Sequence, residues 1–175
     1  MLAQGAGFIY NVAGPLGIGD LQAVTEAIKQ KGKQAGPPFM IGVDANQDWM
    51  GDGHRVFVSM LKRVDNACYK AVEAVVNNNF KSGLVVMGLR DEGVAMSNYS
   101  ELLTFMEFGV GAGKISNSDK QNVVANWEKM RDQVPYWIWE SVGILEKQII
   151  LGNISVPNAN TVADIQAVRA QYPLK

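Results

Sequence analysis

Two charged side chains end two neighbouring apolar runs, and their positions suit ligand binding or acid-base chemistry. Asp44 follows the apolar run at 39–43, and Lys62 ends a second extended run that begins at Val56. In an open α/β sheet, ligands bind at the carboxyl ends of the strands, so a carboxylate that follows such a strand is placed to meet one. An acid and a base therefore stand where a ligand is expected.

A plainer interpretation of the same two residues needs no ligand. Asp after a strand is a frequent helix N-cap, and Lys62 could be a solvated surface charge. The segment between the two runs is polar and rich in turn residues, with Asn46 near its start and Gly51-Asp52-Gly53 near its end. Both interpretations remain open from the residues alone.

Other residues offer little chemistry of their own. Cys68 is the single cysteine, which leaves no internal disulfide or thiolate cluster, and His54 is the single histidine. The turn GPLGIG at 14–19 lacks both the GxGxxG spacing and the Lys-Ser/Thr pair of a phosphate loop, and Pro15 removes a backbone donor. We expect no metal and no cofactor, and the turn favours close approach of a ligand to the backbone.

The amino-terminal patterning predicts one strand, a turn, a helix and a second strand. Residues 7–13 form an apolar run, 20–31 have the charges that suit helix ends, and 39–43 form the next apolar run. This order is a βαβ unit with a right-handed crossover. The sequence therefore predicts an α/β fold with a parallel sheet flanked by helices.

The later part of the chain also contains both segments with the helical spacing of apolar residues and a short apolar run typical of a strand. Apolar residues from Val64 to Asn79 have helical spacing, which predicts an amphipathic helix with Cys68 buried in it. The run Leu84–Leu89 predicts a strand, and residues 99–113 a short helix followed by a loop. Further helices are predicted at 118–133, 136–151 and 161–171, the last capped by Thr161.

Composition excludes several classes of partner. The 175 residues carry 16 basic and 17 acidic side chains, a net charge of −1, which gives no electrostatic argument for nucleic acid or an anionic membrane surface. No segment approaches the roughly 20 apolar residues that a membrane-spanning helix needs. Residues 1–5 do not have the pattern of a signal peptide.

Four blocks of this sequence resemble the basic membrane protein family, the PnrA-like substrate-binding lipoproteins of ABC transporters that capture purine nucleosides. IYNVAGPLGIG resembles the family's aromatic-x-x-Ala-Gly-x-x-Gly turn, and IGVDANQ its Gly-Val-Asp-x-Asp-Gln signature. SMLKRVD resembles its Ser-x-x-Lys-x-Val-Asp block. The fourth block, GLRDEGV together with GNISVP, resembles the family's closing Gly-Leu-x-x-Gly-Gly-Val and Gly-x-Ile-x-Val-Pro pieces. The blocks follow the family's order over residues 8 to 157.

The resemblance implies a type I periplasmic-binding fold, in which two α/β lobes close on a ligand. It covers only the later part of such a protein. Residues 1–55 would then belong to the second lobe, 56–63 to a hinge crossing, and 64–175 to elements that return to the first lobe. The first lobe would be largely absent, so a missing segment or a second chain would have to cover the apolar face that it leaves.

The resemblance also assigns roles to individual residues. Asp44 would accept hydrogen bonds from two ribose hydroxyls, Lys62 would donate to the same sugar, and Tyr10 would stack on the purine. Gly14 would let the ligand approach the main chain. Further cleft candidates are Asn11, Gln47 and Trp49. One departure is Asn46, which stands where the family signature has Asp, so the preference for a purine could differ.

Three functions are consistent with this pattern. The first is a non-catalytic, extracytoplasmic, membrane-anchored or periplasmic receptor that delivers a nucleoside to an ABC permease. The second is an α/β enzyme acting on a nucleoside or sugar with Asp44 as general base, which would need a partner acid. The third is a cytoplasmic effector-sensing domain of similar fold. The absence of a nucleophile–base pair and of a phosphate loop from the sequence favours the receptor.

Overall fold

The structure, a computed structural model, describes residues 1–157, 159 and 161–173. These residues fall into two compact units, the first formed by residues 1–136 and the second by the described residues from 137 onward. The strands are β1 Phe8–Tyr10, β2 Phe39–Asp44, β3 Val56–Lys62 and β4 Val94–Met96. The helices are α1 Gly17–Gln30, α2 Val64–Val76, α3 Tyr99–Gly111, α4 Lys120–Arg131, α5 Tyr136–Leu151 and α6 Val162–Gln171.

The first unit is built on a four-stranded sheet with the order β1-β2-β3-β4. The first three strands are parallel, and β4 runs antiparallel to β3 at the edge. Tyr10 lies opposite Ile41, and Asp44 lies opposite Leu61. The carboxyl ends of the three parallel strands therefore lie side by side along the same border of the sheet, which we call its carboxyl edge.

Helix α1 covers one face of this sheet with the apolar side that its sequence predicts. Val24 and Ile28 of α1 are fully buried, and they form one cluster with Met40 of β2 and Val56 of β3. Because successive side chains of a strand point to opposite faces, the residues next to Met40 and Val56 point the other way. Phe39 is one of those residues.

The opposite face carries an aromatic cluster and helix α4. The rings of Phe8, Phe39 and Phe57 pack with their centroids 5.5 Å apart. Arg131 of α4 donates a hydrogen bond to the Phe57 carbonyl oxygen, and its guanidinium lies over the Trp127 ring at 4.5 Å. The parallel sheet with helices against both faces confirms the predicted α/β class.

The second unit contains α6 and all but the first residue of α5. Thr161 caps α6 as predicted, because its hydroxyl oxygen accepts a hydrogen bond from the Asp164 N–H at 3.1 Å. The Asp164 carboxylate in turn accepts from the Thr161 N–H at 2.9 Å, which completes a capping box. The bounds of α5 agree with the prediction for 136–151.

Two expectations for the middle of the chain are wrong. Leu84–Leu89 forms no strand, and the side chains of Leu84, Val85 and Val86 are 94%, 73% and 72% exposed. A strand needs a hydrogen-bonding neighbour, and no strand of the four-stranded sheet lies beside this segment. Cys68 is exposed on α2 and not buried.

Helix α2 explains the error for Cys68. The apolar face that the sequence predicts is present, but none of the 13 residues of α2 is buried. Val72 and Val76, for example, are 62% and 72% exposed. An amphipathic helix whose apolar face lacks a partner is an exposed hydrophobic surface. Within the described residues, none of the helices is long and apolar enough to cross a membrane.

Candidate ligand-binding site

Asp44 and Lys62 end two adjacent parallel strands. Asp44 is the last residue of β2 and Lys62 the last residue of β3, and the register that places Asp44 opposite Leu61 makes Lys62 the next residue along. Both side chains are exposed. The two charged groups that the sequence singles out are thus brought to the same edge of the sheet.

A pocket of about 690 Å³ opens at this edge, and both Asp44 and Lys62 line it. Its other walls come from the start of α2 and from one side of α3. The lining residues are Asp44, Ala45, Leu61, Lys62, Arg63, Val64, Asp65, Glu101, Thr104, Phe105 and Phe108. The volume lies within the roughly 300 to 1,000 Å³ of small-molecule sites in proteins.

The backbone at Asp44 has an unusual conformation. Its φ is 70°, in the left-handed region, and the Ala45 N–H donates to the Val43 carbonyl oxygen at 2.9 Å. This bond closes a three-residue turn centred on Asp44, a conformation that is rare because it is strained. Asp tolerates the left-handed region better than most residues. Strained residues of this kind concentrate at ligand sites, where surrounding structure holds them.

Asp44 also lines a second pocket, of about 350 Å³. Gly14 and Gln47 line this smaller pocket together with residues at the start of α1. Gly14 has a φ of 55°, in the left-handed region that glycine adopts without strain. Gln47 donates its backbone N–H to Ser59 Oγ at 3.0 Å, and its Oε1 is buried without a hydrogen-bond partner among the described residues.

Asn11 shapes the glycine turn and is itself almost fully buried, with 3% exposure. Its Nδ2 donates to the Gly14 carbonyl oxygen, and its Oδ1 accepts from the Ala13 N–H, both at 3.1 Å. A β-carbon on Gly17 would lie 2.4 Å from Asn11 Nδ2, so α1 begins in direct contact with this side chain. Asn11 thus holds the turn that carries Gly14.

Tyr10 and Trp49 line neither of these two pockets. Tyr10 ends β1 and is 47% exposed. Trp49 donates its indole N–H to the Asn46 carbonyl oxygen at 3.2 Å, and its ring lies 3.3 Å from the place that a β-carbon of Gly109 would occupy. Trp49 therefore joins the loop after β2 to α3.

Asn46, the departure from the family signature, points into the interior. Its side chain is 2% exposed, and Oδ1 accepts a hydrogen bond from the Asp48 N–H at 3.0 Å. Its Nδ2 is buried without a hydrogen-bond partner among the described residues. Asn46 lines neither pocket, so the substitution acts on the loop that carries Asp44 and not on the pocket walls.

A buried carboxylate that the sequence did not single out organises the same loop. Asp48 is 0% exposed and accepts hydrogen bonds from Ser59 Oγ at 2.6 Å and Ser97 Oγ at 2.7 Å. A third comes from Trp127 Nε1 at 3.1 Å. Burial raises the pKa of Asp48 above its ordinary value, although these three donors and the charge of Arg131 act to lower it. Asp48 thus connects the loop after β2 with β3, the end of β4 and α4.

The sequence also gave no reason to place Arg63 or α3 at the site. Arg63 pairs with Asp65 at 2.8 Å and with Glu101 of α3 at 3.4 Å. The pairing with Asp65 lowers the pKa of that carboxyl. Phe105 and Phe108 face the pocket from α3. Their spacing of three residues is the signal that could have indicated a shared helix face.

The residues that the structure describes contain no group of three or more His, Cys, Asp and Glu side chains arranged to hold a metal ion. The site instead combines hydrogen-bonding and charged groups at strand ends with aromatic rings from a helix. A mostly parallel α/β sheet with such a pocket at its carboxyl edge has the features of a protein that binds small polar ligands.

Comparison with known proteins gives the family. A family model described as "ABC transporter substrate-binding protein PnrA-like" matches residues 1–108. A crystal structure of an ABC transporter system solute-binding protein from Aeropyrum pernix K1 matches with a TM-score of 0.82 and 29% identity, over 98% of this chain and 45% of that one. The chain belongs to the PnrA-like family of ABC transporter substrate-binding proteins, as its motifs predicted.

Two lipoproteins from Pyrococcus are also similar to this chain. An uncharacterised lipoprotein of Pyrococcus furiosus is 36% identical over 88% of this chain, and one of Pyrococcus abyssi is 30% identical over 96%. The chain spans 38% of the first relative and 41% of the second. It therefore corresponds to less than half the length of these relatives.

Proposed function

We propose that this chain is the ligand-binding part of an extracytoplasmic receptor that captures a nucleoside, in particular a purine nucleoside, for an ABC transporter. The observation that carries the proposal is that Asp44 and Lys62, at the carboxyl ends of adjacent parallel strands, line one pocket. Family membership supports a transporter receptor. The choice of a nucleoside as the ligand rests on the family-like motifs that contain Asp44 and Lys62.

The chemistry of the pair suits a ribose. The Asp44 carboxylate has two acceptor oxygens for the two neighbouring hydroxyls of the sugar, and each bond to a charged group contributes about 1.5 to 3 kcal/mol. Lys62 donates to the same sugar and offsets the charge of the carboxylate. Gly14 and Gln47 line the smaller pocket that Asp44 also lines, and they extend the contact surface. Tyr10, at the end of β1, is the candidate that the family motif offers for stacking on the base.

The exposed apolar surface supports a larger assembly. The apolar face of α2 and the segment 84–86 are exposed among the residues that the structure describes, and the relatives are more than twice as long as this chain. In our proposal a first lobe, or a second chain in its place, covers this surface. Residues 1–55 then belong to the second lobe and 56–63 cross the hinge. Within 64–175 we propose that α2 and the segment 84–86 return to the first lobe, whereas β4 and α4 stay packed with the sheet.

We propose that closure of the two lobes on the ligand is what the transporter recognises. The ligand is held between the two lobes, and the closed form is the one that the ABC permease recognises. The matched relatives from Pyrococcus are named lipoproteins, which supports an extracytoplasmic, membrane-anchored location. The chemistry requires no bond in the ligand to break, so the receptor returns the nucleoside unchanged.

A ligand panel tests this proposal. The full-length protein is incubated with inosine, guanosine, adenosine, cytidine and free ribose, and binding is read from the melting temperature and from equilibrium dialysis. We expect the purine nucleosides to raise the melting temperature and to be recovered intact by chromatography. Release of free base would favour the enzyme alternative, with Asp44 as general base, and absence of binding to every nucleoside would remove the proposal.

A further inference from the structure

We propose that Phe105 and Phe108 of α3 form the surface on which the heterocyclic base rests while Asp44 and Lys62 hold the sugar. The inference rests on the proposed function and adds to it the part of the pocket that selects a planar ring. It concerns residues outside the four motif blocks, in a helix that the sequence left without a role.

The two rings lie together on one wall of the pocket. Their centroids are 5.6 Å apart with an interplanar angle of 60°, and both residues line the same pocket as Asp44 and Lys62. Phe105 is half-buried, whereas Phe108 is 66% exposed. A large aromatic side chain left in solvent beside a pocket is a surface available for a planar partner.

The strand ends bring charged groups to the pocket and α3 brings two aromatic rings. A nucleoside likewise combines a polar sugar with a flat base. The strand ends and the start of α2 contribute charged groups, among them Asp44, Lys62 and Arg63. Helix α3 contributes Glu101 and Thr104 as well as the two rings of Phe105 and Phe108. A ribose presents hydroxyls and a base presents a flat ring, so the sugar suits the first wall and the base suits the second.

Helix α3 is fixed in place at both ends, which makes its aromatic wall a preformed surface. At its start, Glu101 accepts from the Asn98 N–H and pairs with Arg63 at 3.4 Å. Toward its end, Gly109 lies against the Trp49 ring, with 3.3 Å from that ring to a β-carbon placed on the glycine. A surface that is ordered before the ligand arrives costs less entropy on binding.

Tyr10 is the alternative residue on which the base could stack. It is the aromatic residue of the family-like turn, yet it lines neither the pocket that Asp44 and Lys62 share nor the smaller pocket beside it. In the described structure the aromatic surface that shares a pocket with Asp44 and Lys62 is the one on α3. The two candidates therefore make different predictions for the same ligand.

The experiment compares ring-removing variants of the full-length protein. Phe108→Leu, Phe105→Leu and Tyr10→Leu keep an apolar side chain but lose the ring, and Phe80→Leu is the control because Phe80 is exposed and lies outside this pocket. Calorimetric titration with inosine is expected to show a loss of affinity of about tenfold for Phe108→Leu, as for the loss of one stacking contact. Phe80→Leu should bind as the unaltered protein does.

A second measurement does not depend on the half-buried Phe105. In NMR spectra of the inosine complex, the ring protons of Phe108 should show nuclear Overhauser effects to the H8 or H2 proton of the base, and Phe108→Leu should lack them. Loss of inosine affinity in Tyr10→Leu with none in Phe108→Leu, or a complex without those effects, would overturn the inference.

The outcome also separates this inference from the proposed function. If Asp44→Asn weakens inosine binding and both phenylalanine variants bind normally, the function stands and the role of α3 is rejected. If the unaltered protein binds no nucleoside, both are rejected.

Discussion

The hydroxyl of Ser59 and the carboxylate of Asp48 lie 2.6 Å apart in a buried hydrogen bond whose direction is fixed by its surroundings. Ser59 Oγ also accepts from the Gln47 N–H at 3.0 Å, so its own proton is free to point at Asp48. Ser97 behaves in the same way, because its Oγ accepts from the Ser59 N–H and donates to Asp48. This arrangement ties the loop that carries Asp44 to the centre of the sheet.

Removal of the Asp48 carboxylate should destabilise the fold. Asp48→Ala leaves the buried donors of Ser59, Ser97 and Trp127 without their acceptor, and we expect a loss of about 3 kcal/mol in the free energy of unfolding. Urea denaturation measures it. Asp132→Ala, at an exposed position, is the control and should change the free energy by less than about 0.5 kcal/mol. A similarly small effect for Asp48→Ala would show that the network does not stabilise the protein.

The raised pKa of Asp48 predicts a pH dependence with a definite sign. Between pH 3.8 and the raised value, the folded protein keeps a proton that the unfolded chain has lost. In that window the contribution of Asp48 to the free energy of unfolding therefore falls as pH rises, and below pH 3.8 it is constant.

Comparison with Asp48→Asn, which cannot titrate, isolates this contribution from that of the other carboxyl groups. The free energy of unfolding of the unaltered protein minus that of Asp48→Asn should decrease as pH rises above 3.8. Urea denaturation at a series of pH values measures this difference. A difference that increases with pH would mean that the donors around Asp48 outweigh its burial.

The sequence predicted the framework of the site because local patterns determine it. The apolar runs placed Asp44 and Lys62 at strand ends, and βαβ topology is sufficient to bring such ends together. The hydrogen bonds of Asp48 come from Ser59, Ser97 and Trp127, which lie 11, 49 and 79 residues away along the chain. No periodicity in the sequence encodes such pairings.

The two wrong expectations for the middle of the chain have a physical cause as well. The run Leu84–Leu89 and the apolar side of α2 have the composition of buried elements, yet both are exposed in this chain. Burial patterns show that a segment favours an apolar partner, but they do not show whether that partner is in the same chain. The same limit led to the wrong prediction of a buried Cys68.

A charged substitution on α2 tests whether this face is covered in a full-length protein. Val76 is 72% exposed here, so Val76→Asp should leave the stability of the 175-residue chain almost unchanged. Where a first lobe or a second chain covers α2, as we propose, Val76→Asp should lower the free energy of unfolding by about 2 kcal/mol or more, because the new charge would lie in an apolar interface. Differential scanning calorimetry of both forms measures it. Glu73→Gln, also on α2, is the control, and equal small effects of Val76→Asp in both forms would contradict a covering lobe.

Replacement of Lys62 should weaken ligand binding without affecting the fold. Lys62→Met keeps an unbranched side chain as far as Cε and removes the donor, which we expect to lower nucleoside affinity about tenfold, the equivalent of roughly 1.4 kcal/mol. Isothermal titration calorimetry at two salt concentrations measures the change. Lys33→Met, which removes an exposed charge outside both pockets, should bind normally. Equal affinities for the two variants would exclude Lys62 from the site.

The most direct test of the account is the calorimetric titration of inosine into the full-length protein and its Asp44→Asn variant. Asn suits the left-handed backbone at this position, where φ is 70°, so the variant removes the charge and one acceptor without straining the turn as Ala would. We predict that Asp44→Asn lowers the affinity at least tenfold while the melting temperature of the unliganded protein is unchanged. Equal affinities for the unaltered protein and Asp44→Asn would contradict the claim that Asp44 binds the sugar.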